Sequence, residues 1–256
     1  AAVARLLVAP EVPIKPAYRD TIAGWDVPIE TGAITQENLD GWVNKSTAGL
    51  VNKSGIDVTR GDINFVLQNA ITFAAKWQED FRQGGVIDDD FTRADGTVTR
   101  VEMMGSVRRA PYTVSDGWRG VRLDYTDGEL AAFVLIPDDD MEQVPLTTLR
   151  QAVSQLCRPN ETMGRVAVEL PRFTVTSEKK LFELFDCIGL ETNTQLKAMT
   201  DPPVMLTQAM QQAIIVVDER GTVVSAVTSG GMETGVSFYT EKPIEIIANR
   251  PFYFIV

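Results

Sequence analysis

The sequence predicts an α+β fold, and three observations carry that reading. Strand and helix signals follow one another without regular alternation, which disfavours a doubly wound sheet. Residues 63–73, INFVLQNAITF, are nearly all apolar or β-branched, as in a strand covered on both faces in the middle of a sheet. Two Asp-Gly pairs, Asp95-Gly96 and Asp127-Gly128, sit between strand-like runs as hairpin turns do.

The elements follow in order. Residues 12–18, VPIKPAY, carry two prolines and read as an edge segment or connector. Thr35 is a good N-cap, and Leu39, Trp42, Val43, Thr47 and Leu50 then recur at helical spacing. After the central run, Asp95-Gly96 precedes TVTRVEMM, and Asp127-Gly128 separates GVRLDY from ELAAFVLIP. Val121, Leu123 and Tyr125 alternate as in a half-buried strand. A short helix is expected near 147–156, with Leu149, Val153 and Leu156 on one face. Residues 165–173 read as a strand ending at Pro171. The next helix is placed with its N-cap at Ser177, its apolar face at Leu181, Leu184, Phe185 and Ile188, and its stop at Gly189. Residues 210–217 form a strongly apolar strand, and 251–256 the last one. With no repeat, low-complexity tract or linker, residues 1–256 read as one domain.

Composition narrows the function. The chain has 256 residues, a net charge of −11 and no histidine. A Ser-His-Asp or Cys-His pair cannot be assembled from it, nor a histidine-containing zinc site. Neither a metal nor another cofactor is expected, and the chain is read as not an enzyme. Its acidic surface makes nucleic acid and anionic membranes poor partners. Cys157 and Cys187 lack CxxC spacing; one disulfide could form, but two buried thiols are the expected state. Sequons occur at Asn44, Asn52 and Asn160 and say little about secretion. No signal peptide is visible in AAVARLLVAP. The runs Asp88-Asp89-Asp90 and Asp138-Asp139-Asp140 lack EF-hand spacing and read as solvated turn acids.

Residues 221–243, GTVVSAVTSGGMETGVSFYTEKP, differ in kind: small, hydroxylated and glycine-bearing, without a charge between Arg220 and Glu233. A loop longer than about 15 residues is uncommon in a compact domain and usually functional or disordered. Yet residues 222–228 have a strand's β-branched, uncharged composition. Such a conflict between local preference and placement is expected of a switching element.

These features together resemble the serpin family. The hinge-like Asp218-Glu219-Arg220-Gly221-Thr222 ends an apolar strand, and Ile247-Ala248-Asn249-Arg250-Pro251-Phe252 is similar to the strand after a serpin reactive loop. Upstream and in order lie Asn69-Ala70-Ile71-Thr72-Phe73 with Lys76-Trp77 and Phe81, then Val101-Glu102-Met103-Met104, Leu135-Ile136-Pro137 and Leu170-Pro171-Arg172-Phe173. The resemblance implies a large, mostly antiparallel central sheet with smaller sheets and packed helices. It also implies helices before the VPIKP segment and further strands after the final FYFIV, so the chain reads as an incomplete serpin-like domain with its reactive loop at 221–246.

What the resemblance implies for function is inhibition of serine proteases as a suicide substrate. A protease attacks the loop, and the severed loop inserts into the main sheet as a new strand. The alternative is a non-inhibitory serpin-fold binding protein or chaperone. The hinge residues would be Glu219, Gly221, Thr222, Val224 and Ala226, with Asn69, Gln211, Trp77 and Arg172 in the region where the sheet opens. Glu219 and Arg172 would face each other near Trp77, and Gln211 stands where the family often has a histidine opposite Asn69. Val223 departs from the family's acidic residue, and valine at 224 and 227 is bulkier than usual, so insertion is expected to survive at a reduced rate. The family's hinge-to-bond spacing puts the reactive bond at Gly235-Val236; counting back from Pro251 moves it to Ser237, Phe238 or Tyr239. No Lys or Arg lies between Arg220 and Lys242. The expected partners are therefore chymotrypsin-, subtilisin- or elastase-like proteases, and an extracellular location is implied.

Overall fold

A computed structural model describes residues 2–59, 63–81, 85–139, 144–158, 162–189, 195–204, 206, 208–222 and 242–256. They fall into two compact units: Ala1–Phe73 with Thr174–Ile215, and Ala74–Phe173 with Val216–Val256. Among them, antiparallel strand pairs outnumber parallel ones. No helix among them is long and apolar enough to cross a membrane.

In the first unit, β1 (Ala2–Val8) lies between β2 (Ile29–Thr31), which is parallel to it, and β3 (Phe65–Thr72), which is antiparallel. β3 in turn pairs in parallel with residues 209–214 of β11 (Ala209–Asp218), and β10 (Phe173–Lys180) also pairs with β11. Alternation splits the apolar side chains between two faces. Leu6, Val8 and Phe65 pack with Met199 and Val204 in one cluster. Leu7 and Val66 pack with Leu39, Ile56 and Met210 in another. Phe65 and Val66 are thus buried on opposite faces of β3, while Leu67, Asn69 and residues 71–73 are only half-buried, so the two-sided cover that the composition predicts is complete only at the start of the strand.

Leu39 comes from α2 (Gln36–Ser46), whose N-cap Thr35 accepts the Asn38 N–H on its side chain. Caps of this kind contribute about 1 kcal/mol. A buried polar seam ties α2 down: Arg5, 3% exposed, donates to Gln68 Oε1 at 2.7 and 2.9 Å and to the Asn38 carbonyl at 3.2 Å. Its guanidinium also pairs with Glu30 at 2.7 Å and lies 5.0 Å from the Trp42 ring centroid. Nothing in the apolar pattern of β1 announced that seam.

In the second unit, the 18-residue β6 (Val98–Ser115) is the spine. It pairs successively with β5 (Val86–Thr92), β9 (Met163–Pro171) and β7 (Trp118–Asp124). β7 continues to β8 (Ala131–Pro137) and β14 (Tyr253–Ile255), while β13 (Ile244–Ile247) lies parallel to β9. α3 (Leu146–Leu156) covers this part of the unit, packing Ala152 and Leu156 on Trp118 and Leu135. Both Asp-Gly turns are present, with Gly96 and Gly128 at φ of 80° and 74°. Val121, Leu123 and Tyr125 are all buried.

Four sequence expectations need correction. Residues 12–18 are not wholly a connector: Pro16 opens the short helix α1 (Pro16–Ile22), where its fixed φ and missing N–H suit the first turn. Ser177 lies within β10, and the helix α4 (Leu181–Cys187) has Lys180 at its N-cap. The β-branched Thr174, Val175 and Thr176 carry the strand further than the capping signal suggested. The triplet Asp88-Asp89-Asp90 sits in β5 rather than in a turn. β5 pairs with β6 alone among the described strands, and its acids keep an open sheet edge from pairing with other chains. Cys157 and Cys187 are unpaired but exposed, not buried.

Candidate functional site at the hinge

The site is built where β11 ends, within the second unit. Asp218 turns its side chain back on its own backbone: Oδ1 accepts the N–H of Arg220 at 2.8 Å and of Gly221 at 3.2 Å. This Asx-type turn reverses the chain. Gly221 and Thr222 then form β12, antiparallel to Asp218 and Val217 on one side and to Lys76 and Ala75 of β4 (Ala75–Lys76) on the other. The turn's carbonyls are also used, Arg220 accepting from Trp77 N–H at 3.0 Å and Glu219 from Phe81 N–H at 2.8 Å.

Gly221 is there for space. A Cβ would collide with the Ala75 carbonyl oxygen and stand 2.7 Å from Lys76 Cα. Sequence reasoning assigned it backbone freedom; closeness of the neighbouring strand is the stricter demand. Thr222 is fully buried, and its hydroxyl shares a hydrogen bond of 2.9 Å with the Tyr125 hydroxyl. Tyr125 in turn stacks on Trp77, ring centroids 4.6 Å apart and planes 9° from parallel. The Trp77 indole N–H donates to the Asp218 carbonyl at 2.9 Å. The tryptophan therefore touches the turn, the strand beside it and the tyrosine that holds Thr222.

Arg172 clamps the outside of the turn. Its Nε and second guanidinium nitrogen reach Glu219 Oε2 at 2.9 and 2.8 Å, and its remaining nitrogen reaches Glu102 at 3.0 Å. Burial pushes the Glu219 carboxyl up, but its own backbone N–H and the Arg172 and Arg220 charges outweigh this and hold it below the usual range. A partly exposed pair of this sort contributes about 0–1 kcal/mol, so the clamp fixes geometry more than it adds stability.

Tyr125 is a site residue that sequence reasoning missed. Its alternation with Val121 and Leu123 marked it as inward-facing, but nothing in the sequence linked it to a hydroxyl 97 residues away. Burial raises its phenol to about 12, with Asp127 adding to the rise and the Thr222 hydrogen bond opposing it. The folded state therefore holds a proton that the unfolded chain releases near pH 10, so stability falls as pH rises from about 10 to about 12. A shift of this size corresponds to roughly 2–3 kcal/mol. Urea midpoints measured between pH 9 and 12 are expected to show this loss, and Tyr125→Phe to flatten that part of the profile.

Of the residues predicted for the site, Trp77, Arg172, Glu219, Gly221 and Thr222 thus come together in the second unit. Asn69 and Gln211 come together in the first. They are register partners on β3 and β11, and the Gln211 amide donates to Asn69 Oδ1 at 3.3 Å. Val224, Ala226, Gly235, Val236, Ser237, Phe238 and Tyr239 lie outside the described residues. Asp218, the first residue of the hinge-like segment, adds its side chain to the turn, and Glu102, quoted in the resemblance but not assigned to the site, joins it through Arg172.

A family model described as serpin (serine protease inhibitor) matches residues 2–256. The chain belongs to the serpin family. Among its relatives, Serpin-Z1C of Triticum aestivum is 24% identical over 277 residues, covering 98% of this chain and 69% of that protein. Plasminogen activator inhibitor 1 of Sus scrofa is 28% identical over 239 residues, covering 85% and 56%. This serpin therefore spans about half to two-thirds of the length of such relatives. Among solved structures, human thyroxine-binding globulin with its ligand bound aligns at a TM-score of 0.80 and 20% identity, over 99% of this chain and 69% of that one. The thermophilic serpin tengpin in its native state aligns at 0.79 and 20%, over 99% and 68%. At such identities these structures establish the fold, α+β and serpin-like. Inhibitors and a thyroxine-binding globulin both stand among the similar proteins, so the family by itself leaves inhibition and a non-inhibitory role both open.

Proposed function

We propose that this serpin inhibits serine proteases as a suicide substrate, through cleavage of its reactive loop and insertion of the loop into the main sheet. The observation that carries the reading is β12. Gly221 and Thr222, the first residues of the segment, are already strand and hydrogen-bonded along both edges. A segment that begins as an inner strand extends by adding further rungs to the same two ladders, the backbone logic of strand addition. Such an inhibitor supplies no catalytic group of its own, in keeping with a chain that lacks histidine. We place the reactive bond at Gly235-Val236 or within Ser237 to Tyr239. With no Lys or Arg from residue 221 to 241, chymotrypsin-, subtilisin- and elastase-like proteases fit as targets better than trypsin-like ones, whose specificity pocket requires a cation. An extracellular setting follows from the same reading.

Incubating the full-length protein with chymotrypsin and with elastase tests this. The expected result is an SDS-stable covalent complex, with the mass of the released peptide locating the bond. Cleavage without complex, and without a rise in thermal stability, would instead favour a non-inhibitory serpin-fold binding protein or chaperone, human thyroxine-binding globulin being a binding protein of this fold.

A further inference from the structure

Residues 77–81 run between the hinge turn and the end of β7. On one side the Trp77 and Phe81 N–H groups donate to the Arg220 and Glu219 carbonyls, at 3.0 and 2.8 Å. On the other the Gln78 N–H donates to the Asp124 carbonyl at 2.9 Å, and Trp77 forms an isolated bridge with Tyr125. Residues 78–81 belong to no strand, so no ladder fixes their course. The turn that opens β12 is therefore placed only as well as this segment is.

Arg108 seats its far end from β6. The residue is 8% exposed, and its backbone lies in the ladder with β9, opposite the fully buried Val166. Each guanidinium nitrogen serves a different acceptor. Nε donates to the Ser106 hydroxyl at 2.8 Å, and the other two donate to the Glu79 carbonyl at 2.7 Å and the Asp80 carbonyl at 3.4 Å. The guanidinium carbon lies 4.3 Å from the Phe81 ring centroid, within cation–π range. Phe81 is itself fully buried and sets its ring edge-on to Trp77 at 6.1 Å. Burial draws the guanidinium below its ordinary value, and the Glu79 and Asp80 charges oppose this. The cation is thus matched in charge, and what distinguishes it is geometry: one side chain holds three consecutive residues.

A planar fork can do this and an ammonium cannot, because lysine offers a single nitrogen on a flexible stem. We infer that Arg108 is a positioning residue for the hinge: by fixing residues 79–81 from β6 it holds the Phe81 N–H on Glu219 and so sets where β12 enters the sheet. It acts through Phe81. Its consequence for inhibition rests on the function proposed above. If the turn shifts, β12 loses the register from which further rungs would be added, and the cleaved loop enters the sheet more slowly.

Hydrogen exchange of the full chain, followed by mass spectrometry, tests the positioning independently of any protease. In Arg108→Lys, which keeps the charge and loses the fork, amides of residues 77–81 and 218–222 are expected to exchange roughly tenfold faster, with those of β8 unchanged. Ser106→Ala, which removes only the hydroxyl that accepts from Nε, is expected to show the same pattern at smaller amplitude. Leu156→Ala, which opens the packing of α3 on Trp118, is expected to speed exchange in α3 and to leave residues 218–222 as in the parent. Incubation with chymotrypsin reads the consequence. Arg108→Lys is expected to raise the share of cleaved, uncomplexed protein roughly twofold at an unchanged rate of loop cleavage. A parent protein that forms no complex would defeat the inhibitory reading and leave the exchange result standing. Faster exchange with an unchanged share would overturn the link to insertion. Parent-like exchange at residues 218–222 in both Arg108→Lys and Ser106→Ala, or a rise spread evenly over the unit, would overturn the role of Arg108 itself.

Discussion

Replacing Trp77 by alanine is expected to lower stability by about 3–5 kcal/mol, read as a fall in the urea midpoint. The indole is 3% exposed and stacks on Tyr125, with Phe81 and Phe254 set edge-on at 6.1 and 6.5 Å. A buried aromatic of this size removes roughly 150–250 Å² from water. At about 25 cal/mol per Å² that is about 4–6 kcal/mol before any relaxation. The truncation also strips the Asp218 carbonyl of the indole N–H at the turn that starts β12. Trp77→Phe separates the two contributions. It keeps most of the packing and loses the hydrogen bond, so about 1–2 kcal/mol of the loss should remain. An unchanged midpoint in Trp77→Ala would mean that the stack does not hold the hinge turn.

Much of this site was legible through the resemblance of short segments to the serpin family: Asp218 to Thr222 as the hinge, with Trp77 and Arg172 placed beside it and Gln211 opposite Asn69. The fold class was legible without it. The apolar run of β3 and the alternation of β7 report burial through backbone periodicity alone. What escaped are the long-range contacts that neither periodicity nor the quoted segments carry. The Tyr125–Thr222 hydroxyl contact and the Arg5 seam arise only when strands far apart in sequence are brought into register. The misplaced N-cap at Ser177 has a different cause. A serine ahead of an apolar helical face is a sound capping signal, but the β-branched residues before it already belonged to a strand paired with β11. Tertiary pairing overrode local chemistry there. Residues 221–241 can be read as free of Lys and Arg, which under the proposed function narrows the protease class but leaves the bond itself to experiment.

Gly221→Ala is expected to be the most disruptive single methyl in the hinge. The added carbon would meet the Ala75 carbonyl oxygen, Lys76 Cα at 2.7 Å and Ala75 C at 3.0 Å. All three are backbone atoms, so no side-chain rotation relieves the overlap, and either β12 or β4 must move. Moving β12 breaks its rungs to both β11 and β4 and draws Thr222 off Tyr125. Overpacking on this scale costs about 1–3 kcal/mol, which should appear in the urea midpoint whatever the protein's function. The functional consequence follows from the proposed mechanism, because insertion competes with release of the cleaved loop. A hinge pushed out of the sheet has to re-enter it before the next rungs can form, so hydrolysis of the acyl-enzyme gains time. Gly221→Ala should therefore shift the products from covalent complex toward cleaved, uncomplexed serpin, while the rate of loop cleavage stays near that of the parent protein. Thr222→Ser, which retains a hydroxyl for Tyr125, should leave the partition closer to the parent protein. A lowered midpoint with an unchanged yield of complex would keep the steric argument and sink the role assigned to β12 in starting insertion.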